Sequence, residues 1–292
     1  MLPLLIAAAL LIQTELPAQE RPGFAARVDI VTVTATVTGK DGRFVSALEK
    51  DDFTVYEDGR KQDVAYFVED AAPVSLGILL DASGSMSGAR IALARDCITH
   101  LVLNDLRPAD EWFLARFGYS LVLEHDWTAE RELITSALRG LRATGDTALF
   151  DAVALAIPIA KSGRLEKKAL LVVSDGGETR SLLSLGEVRQ AIGEGDVRVY
   201  AIGVDATSGL RGERVNAATL RRITDDTGGR TEIVSTTAAI PSATARLADE
   251  LRHEYLMGYT TSAPKDGRLH TLRVDVRHRG LTVRARKGFV AN

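Results

Sequence analysis

From Val31 to Val37 apolar side chains fill every second position, with Thr32, Thr34, Thr36 and Thr38 beside them. That is the period of a strand with one face in a core. Val28 and Ile30 are out of phase with this set, which predicts a bulge near Ile30 and Val31 or burial of both faces there. Asp41-Gly42 and Asp58-Gly59 mark tight turns, so the segment up to about Val68 reads as a series of short strands. The middle of the chain has a different rhythm. Between Val74 and about Arg252, wholly apolar runs alternate with segments of helical period. Residues 74–80, 112–117, 121–124, 169–174, 197–204 and 230–234 predict strands, and residues 90–104, 130–141, 148–161, 185–193, 217–226 and 239–252 predict helices. Such alternation implies an α/β unit with a mostly parallel six-stranded sheet flanked by helices. Tyr119 and Ser120 are too short a join for a parallel crossover, so the second and third strands should be antiparallel neighbours. Pro158 falls inside the third helical pattern and is expected to kink or end it.

After Arg252 the period returns to two. Leu272, Val274 and Val276 alternate with polar residues, and beyond His278-Arg279-Gly280 so do Leu281, Val283 and Ala285. This predicts a hairpin with one buried face. Neither β segment, 27–70 or 254–290, is long enough to enclose a core alone. The two ends are therefore expected to form one small β-sandwich, with the α/β unit of residues 73–252 inserted between them.

Composition narrows the possible partners. The chain has 292 residues, 46% of them hydrophobic, and a formal charge of -3 with lysines and arginines dispersed along it. This describes a globular protein, and it argues against nucleic acid or an anionic membrane surface as the main partner. Residues 2–12 form an apolar stretch of the length found in the core of a secretory signal, so residues 1–19 are expected to be a signal peptide. The mature chain would then be secreted or periplasmic, without membrane insertion. Cys97 is the single cysteine, and it shares the apolar side of its predicted helix with Ile91, Ala94, Ile98 and Leu101, a place for core packing rather than chemistry.

The candidate chemistry begins at Asp81-Ala-Ser83-Gly-Ser85. A carboxylate and two hydroxyls at alternate positions, just beyond an apolar run, are oxygen donors suited to a hard cation at the end of a buried strand. About one chain in ten of this length would contain D-x-S-x-S by chance, so the strand before it and the helix after it carry the argument. Open α/β sheets bind ligands outside the carboxyl ends of their strands. Two more loops should converge there: residues 143–149, where Thr147 opens a helix, and residues 172–178, where Asp175 ends a strand run as Asp81 does. The structural alternative is that Ser87 or Thr147 merely caps the following helix.

On these residues the chain resembles the von Willebrand factor A family, whose metal-ion-dependent adhesion site combines a D-x-S-x-S loop with a later Thr and a later Asp. Asp81, Ser83, Ser85, Thr147 and Asp175 match those roles in order. With Tyr255-Leu-Met-Gly-Tyr259 and Arg286-Lys-Gly-Phe289, the whole chain is also similar to a group of secreted bacterial proteins, common in acidobacteria, that carry a related domain. The resemblance implies that Ser83, Ser85 and Thr147 bind a metal through their hydroxyls, while Asp81 and Asp175 act through bound waters or hydrogen bonds to the serines. Neutral donors leave a divalent cation attractive to one more anionic oxygen, here an Asp or Glu carboxylate of a protein partner. Mg2+ is the expected ion, with Mn2+ or Ca2+ as substitutes. Met86, Asp146, Gly176 and Glu178 are expected to form the rim that meets the ligand.

Three functions follow from this reading. The first is a divalent-cation-dependent, adhesion-type binding module; the second is a structural scaffold whose metal is not essential; the third is a Mg2+-dependent hydrolase. Against the third, His100, His125, His253, His270 and His278 are dispersed, and the chain has no G-x-S-x-G or phosphate-cradling motif. The chain is expected not to be an enzyme.

Overall fold

The computed structural model describes residues 30–205 and 214–291, so the expected signal segment and Val28 lie outside the described residues. The threonine-valine alternation becomes β1 (Ile30–Thr38), which buries Val31, Val33, Ala35 and Val37. Next come β2 (Phe53–Glu57), β3 (Arg60–Gln62) and β4 (Val64–Asp70). Asp58 and Gly59, both at positive φ (47° and 78°), make the turn from β2 to β3. This is the backbone that a two-residue hairpin loop with right-handed strand twist requires.

The central unit follows as β5 (Val74–Asp81), α1 (Ala89–His100), β6 (Glu111–Phe117), β7 (Leu121–Thr128), α2 (Arg131–Arg139), α3 (Leu149–Lys161), β8 (Lys167–Ser174), α4 (Leu185–Gly195), β9 (Arg198–Val204), α5 (Ala217–Thr224), β10 (Thr231–Val234) and α6 (Ile240–Arg252). Its six strands lie in the order β10-β9-β8-β5-β6-β7. All pairs are parallel except β6 with β7, whose three-residue Gly118-Tyr119-Ser120 join leaves no room for a crossover. Every residue of β5 is buried, because helices cover both faces of the sheet, and this explains why its sequence is continuously apolar rather than alternating. One core lies between the sheet and α1, α2 and α6, with Cys97 inside it; a second lies between the sheet and α3, α4 and α5. Burial pushes the Cys97 thiol up to about 12, so it stays protonated. Among the described residues no helix is long and apolar enough to cross a membrane.

The chain closes with β11 (Glu254–Thr260), β12 (Leu269–Val276), β13 (Thr282–Ala285) and β14 (Gly288–Val290). Two four-stranded antiparallel sheets, β13-β1-β11-β4 and β14-β12-β2-β3, share a core of residues from both chain ends, among them Val33, Val55, Tyr255, Tyr259 and Val274. Glu254, at the first residue of β11, ties this sandwich to the central sheet. Its Oε1 accepts from Arg198 Nη1 at 2.7 Å, and its Oε2 lies 3.2 Å from Lys167 Nζ.

Three expectations are corrected. Residues 272–276 and 281–285 do not pair as a hairpin: β12 pairs with β2 and β14, whereas β13 pairs with β1. The segment is an arch between two sheets, and apolar alternation is the same for both because each strand faces the same core. No bulge interrupts β1, whose register runs evenly from Ile30 opposite Thr260 to Ala35 opposite Tyr255, and Ile30 is exposed. Of the two outcomes expected at Pro158, a kink or an end of the helix, the end does not occur, since α3 continues to Lys161. Only one amide is lost, and the last turn closes through Ser162, whose N–H donates to the Pro158 carbonyl at 3.2 Å.

Candidate metal centre

β5, β6 and β8 are parallel and end at the same edge of the sheet, which brings their following loops together. Backbone hydrogen bonds stitch these loops. Ala82 N donates to Phe117 O (2.7 Å), Thr144 N to Ala82 O (2.7 Å), Gly84 N to Gly145 O (2.8 Å), and Thr179 N to Thr147 O (2.9 Å). Each loop that carries a candidate donor is thus held by another.

Asp81 is fully buried at the end of β5. Its Oδ1 accepts from the Ser83 N–H at 2.9 Å and its Oδ2 from Ser174 Oγ at 2.6 Å. Burial pushes its carboxyl up to about 6, against the opposing pull of the Ser174 and Ser83 hydrogen bonds, and the nearby Asp175 charge raises it a little further. A carboxylate this costly to ionise is one that a nearby cation would stabilise strongly. The Ser83 and Ser85 hydroxyl oxygens stand 3.1 Å apart. Asp175 Oδ1 accepts from Gly177 N at 2.9 Å, while its Oδ2 pairs with Arg90 Nη1 at 3.0 Å. That same guanidinium nitrogen donates to the Ser85 carbonyl at 2.9 Å.

The donors converge. A methyl-sized position built on Gly177 would lie 3.1 Å from Asp175 Oδ1, 3.8 Å from Ser85 Oγ and 3.9 Å from Thr147 Oγ1. One point beside Gly177 is therefore faced by oxygens from all three loops, a donor set that suits a hard divalent cation. Capping does not account for these residues. α1 opens at Gly88, with φ of 69°, and α3 opens at Ala148, neither with a side-chain cap, so Ser87 and Thr147 are not spent as helix caps. Among the described residues no group of three or more His, Cys, Asp or Glu side chains is placed to hold a metal. The candidate centre accordingly consists of hydroxyls with two carboxylates.

The expected rim is largely corrected. Met86 is fully buried in the core under α1 rather than facing a ligand. Gly176 is buried too, with φ of 75°, and a Cβ there would come within 2.5 Å of the Asn216 carbonyl. Its role is backbone conformation. The Glu178 carboxylate is half-buried and accepts from the N–H groups of Phe150, Arg180 and Ser181 and from Ser181 Oγ, which locks the loop onto the start of α3. Asp146 alone of the four is exposed, 3.8 Å from Arg180. The edge also presents two apolar side chains that pattern reading passed over, Tyr119 (70% exposed) and Leu182 (94% exposed), on loops bonded to α3 or its first turn. Ser174 and Arg90 were missed as well. A polar residue ending a buried strand beside Asp175 was a signal for Ser174; nothing local distinguishes Arg90.

Comparison with known proteins places the central unit. Residues 76–178 match the family model described as von Willebrand factor type A domain. Human inter-alpha-trypsin inhibitor heavy chain H4 is 27% identical over 190 residues, which covers 56% of this chain and 19% of that protein. The chain thus spans about a fifth of the length of the curated relatives it matches. A von Willebrand factor type A protein from Catenulispora acidiphila superposes with a TM-score of 0.55 at 14% identity, over 83% of this chain and 75% of that one. Proximal thread matrix protein 1 from the mussel byssus, in a structure described as having a zinc-occupied MIDAS motif, gives a TM-score of 0.50 at 16% identity, over 67% and 49%. The likeness to these structures is one of fold.

Proposed function

From a von Willebrand factor A fold whose three donor loops meet at one sheet edge, we propose that this chain is a divalent-cation-dependent protein-binding module that works outside the cytoplasm. The observation that carries this reading is the convergence of Asp175 Oδ1, Ser85 Oγ and Thr147 Oγ1 beside Gly177. Ser83, Ser85 and Thr147 would hold the metal through their hydroxyls, with Asp81 and Asp175 fixing those hydroxyls or the metal's waters. When bound, the cation would supply an open positive centre for an Asp or Glu carboxylate of a protein partner. Mg2+ is the ion we propose, with Mn2+ or Ca2+ as substitutes, and the zinc-occupied neighbour adds Zn2+ to those worth testing. The apolar stretch at residues 2–12 supports a secreted or periplasmic setting, and the wider likeness to secreted bacterial proteins common in acidobacteria is part of the same proposal.

We propose binding rather than catalysis. A general base would have to stand beside the metal. Each histidine instead makes its hydrogen bonds elsewhere: His100 with Asp105 and Thr244, His125 with Asp126, His253 with Asp249, His270 with Asp58, and His278 with Asp52. A scaffold with a non-essential metal is the second reading, favoured by one contact: Arg90 already neutralises Asp175.

The test is calorimetric titration of Mg2+, Mn2+ and Zn2+ into metal-stripped protein, with wild type beside Asp175→Ala and Thr147→Ala. Saturable binding of about one ion, weakened roughly tenfold or more in each variant, supports the module. No saturable binding in wild type moves the scaffold ahead.

A further inference from the structure

Two loops meet at the peptide that joins Thr147 to Ala148. Its carbonyl accepts from Thr179 N at 2.9 Å and from Arg180 N at 3.0 Å, while its N–H donates to the Gly118 carbonyl at 2.8 Å. In a trans peptide these two groups point in opposite directions, so residues 118–120 and residues 179–183 lie on opposite sides of Thr147. A Cβ on Gly118 would stand 3.4 Å from the Asp146 carbonyl and 3.8 Å from the Ala82 carbonyl, which sets the first of these loops against the segments that carry Thr147 and Asp81. Tyr119 is one residue beyond Gly118, and Leu182 is two beyond Arg180. At about 3.8 Å per residue, their Cα atoms are at most about 4 and 8 Å from residues bonded to that peptide.

A single apolar side chain on a surface calls for no explanation. Here two of them, 70% and 94% exposed, bracket one candidate metal donor. Their backbone is also fixed in advance. The Asp151 carboxylate accepts from the N–H groups of Leu182 and Leu183 at 2.9 Å each, and Ser181 Oγ accepts from Phe150 N at 3.0 Å, which ties the second loop to the first turn of α3. The Gly118 carbonyl holds the other loop to Ala148. A partner that covers these side chains therefore has little loop ordering to offset. Asp146 and Arg180, the exposed charges beside Thr147, lie 3.8 Å apart and offset each other. What the bracket offers beyond the metal is apolar surface on two sides.

We propose that the partner is an extended peptide segment with an Asp or Glu at its centre and a large apolar residue two positions before and two positions after it, which cover Tyr119 and Leu182. In an extended chain, positions i-2, i and i+2 share one face, and the residues between them point away. A carboxylate aimed at the metal thus brings the side chains two positions away towards the two sides of Thr147. Burial of Tyr119 and Leu182 supplies affinity that the single metal contact does not. The inference rests on the metal-dependent reading above and adds to it the sequence pattern of the partner.

The experiment is calorimetry on the full chain, first with Mg2+ or Mn2+ alone and then, in the metal that binds, with three end-blocked peptides: Leu-Thr-Asp-Thr-Leu, Ser-Thr-Asp-Thr-Ser and Leu-Thr-Asn-Thr-Leu. Tyr119→Ser and Leu182→Ser remove the proposed anchors, and Leu155→Ser removes an equally apolar side chain, 56% exposed, from further along α3. Circular dichroism establishes that each variant is folded. The expected result is saturable binding of the Leu-Asp peptide that needs the metal, roughly tenfold tighter than that of the Ser-Asp peptide, with none for the Asn peptide. Tyr119→Ser and Leu182→Ser should each weaken it several-fold, with Leu155→Ser close to wild type. If metal binds but the Leu-Asp peptide does not, or binds no better than the Ser-Asp peptide, or is undiminished in both anchor variants, this proposal is overturned while the metal reading stands. If no metal binds, both fall together, and the metal titration alone shows it.

Discussion

Arg90 Nη1 lies 3.0 Å from Asp175 Oδ2 and donates to the Ser85 carbonyl at 2.9 Å, so one guanidinium joins the first donor loop to the third. It supplies positive charge where a metal would otherwise supply it. A cation so close to Asp175 opposes the arrival of another. Arg90→Ala is therefore expected to bind divalent ions roughly tenfold more tightly than wild type, a difference of about 1.4 kcal/mol, with Arg90→Lys close to wild type. Calorimetry decides. Weaker binding in Arg90→Ala would show that the guanidinium's role is to hold the loops in place.

Ser174 is fully buried; its hydroxyl donates to Asp81 Oδ2 and accepts from Gly176 N at 2.9 Å. Ser174→Ala strips the buried carboxylate of one of its side-chain donors and leaves the Gly176 amide unpartnered. We expect a loss of about 1–3 kcal/mol in urea unfolding, with weaker metal binding as well. Unchanged stability would mean that water replaces the hydroxyl.

Glu254 is 2% exposed and neutralises both Arg198 and Lys167. Its removal takes away the carboxylate that two buried cations share between the sandwich and the central sheet. Glu254→Ala is expected to cost about 3–5 kcal/mol, and hydrogen exchange should quicken in β11 and at the start of β9. A loss below about 1 kcal/mol would show that the two units are held together by other contacts.

His270 and Asp58 link β12 to the β2–β3 turn through a 2.8 Å contact. Asp58, first by its hydrogen bond and then by its charge, raises the His270 imidazole above 6.5, and Asp266 adds to this; His270 and Thr271 hold Asp58 below 3.8. The imidazolium's stabilisation is full below 6.5 and is lost as pH rises through the raised folded value. That of Asp58 is present above 3.8 and is lost as pH falls through its lowered value. Asp58 is half exposed, so the effect is modest. Melting temperatures of wild type and His270→Gln should differ most between 3.8 and 6.5 and draw together above neutrality. A difference that ignores pH would refute the linkage.

Local pattern settled a good deal of this molecule. The apolar runs that became β5, β8 and β9 are readable because a strand covered on both faces leaves no polar position. Asp81, Ser83, Ser85, Thr147 and Asp175 are readable because parallel strands deliver their following loops to one edge. What local pattern could not settle was partnership. β12 and β13 alternate as a hairpin would, yet pair in different sheets, since alternation records which face is buried and not which strand lies alongside. Met86, Gly176 and Glu178 stand in the right loops, but whether a loop residue faces a ligand or its own core depends on α1, Asn216 and Phe150, which come from other parts of the chain. Arg90 beside Asp175, Ser174 beside Asp81 and Arg198 beside Glu254 are separated by 85, 93 and 56 residues. Charges and donors that distant in the chain meet only when the sheet and the sandwich have closed around them, and so the electrostatics of the candidate metal centre and of the junction between sheet and sandwich belong to the tertiary structure.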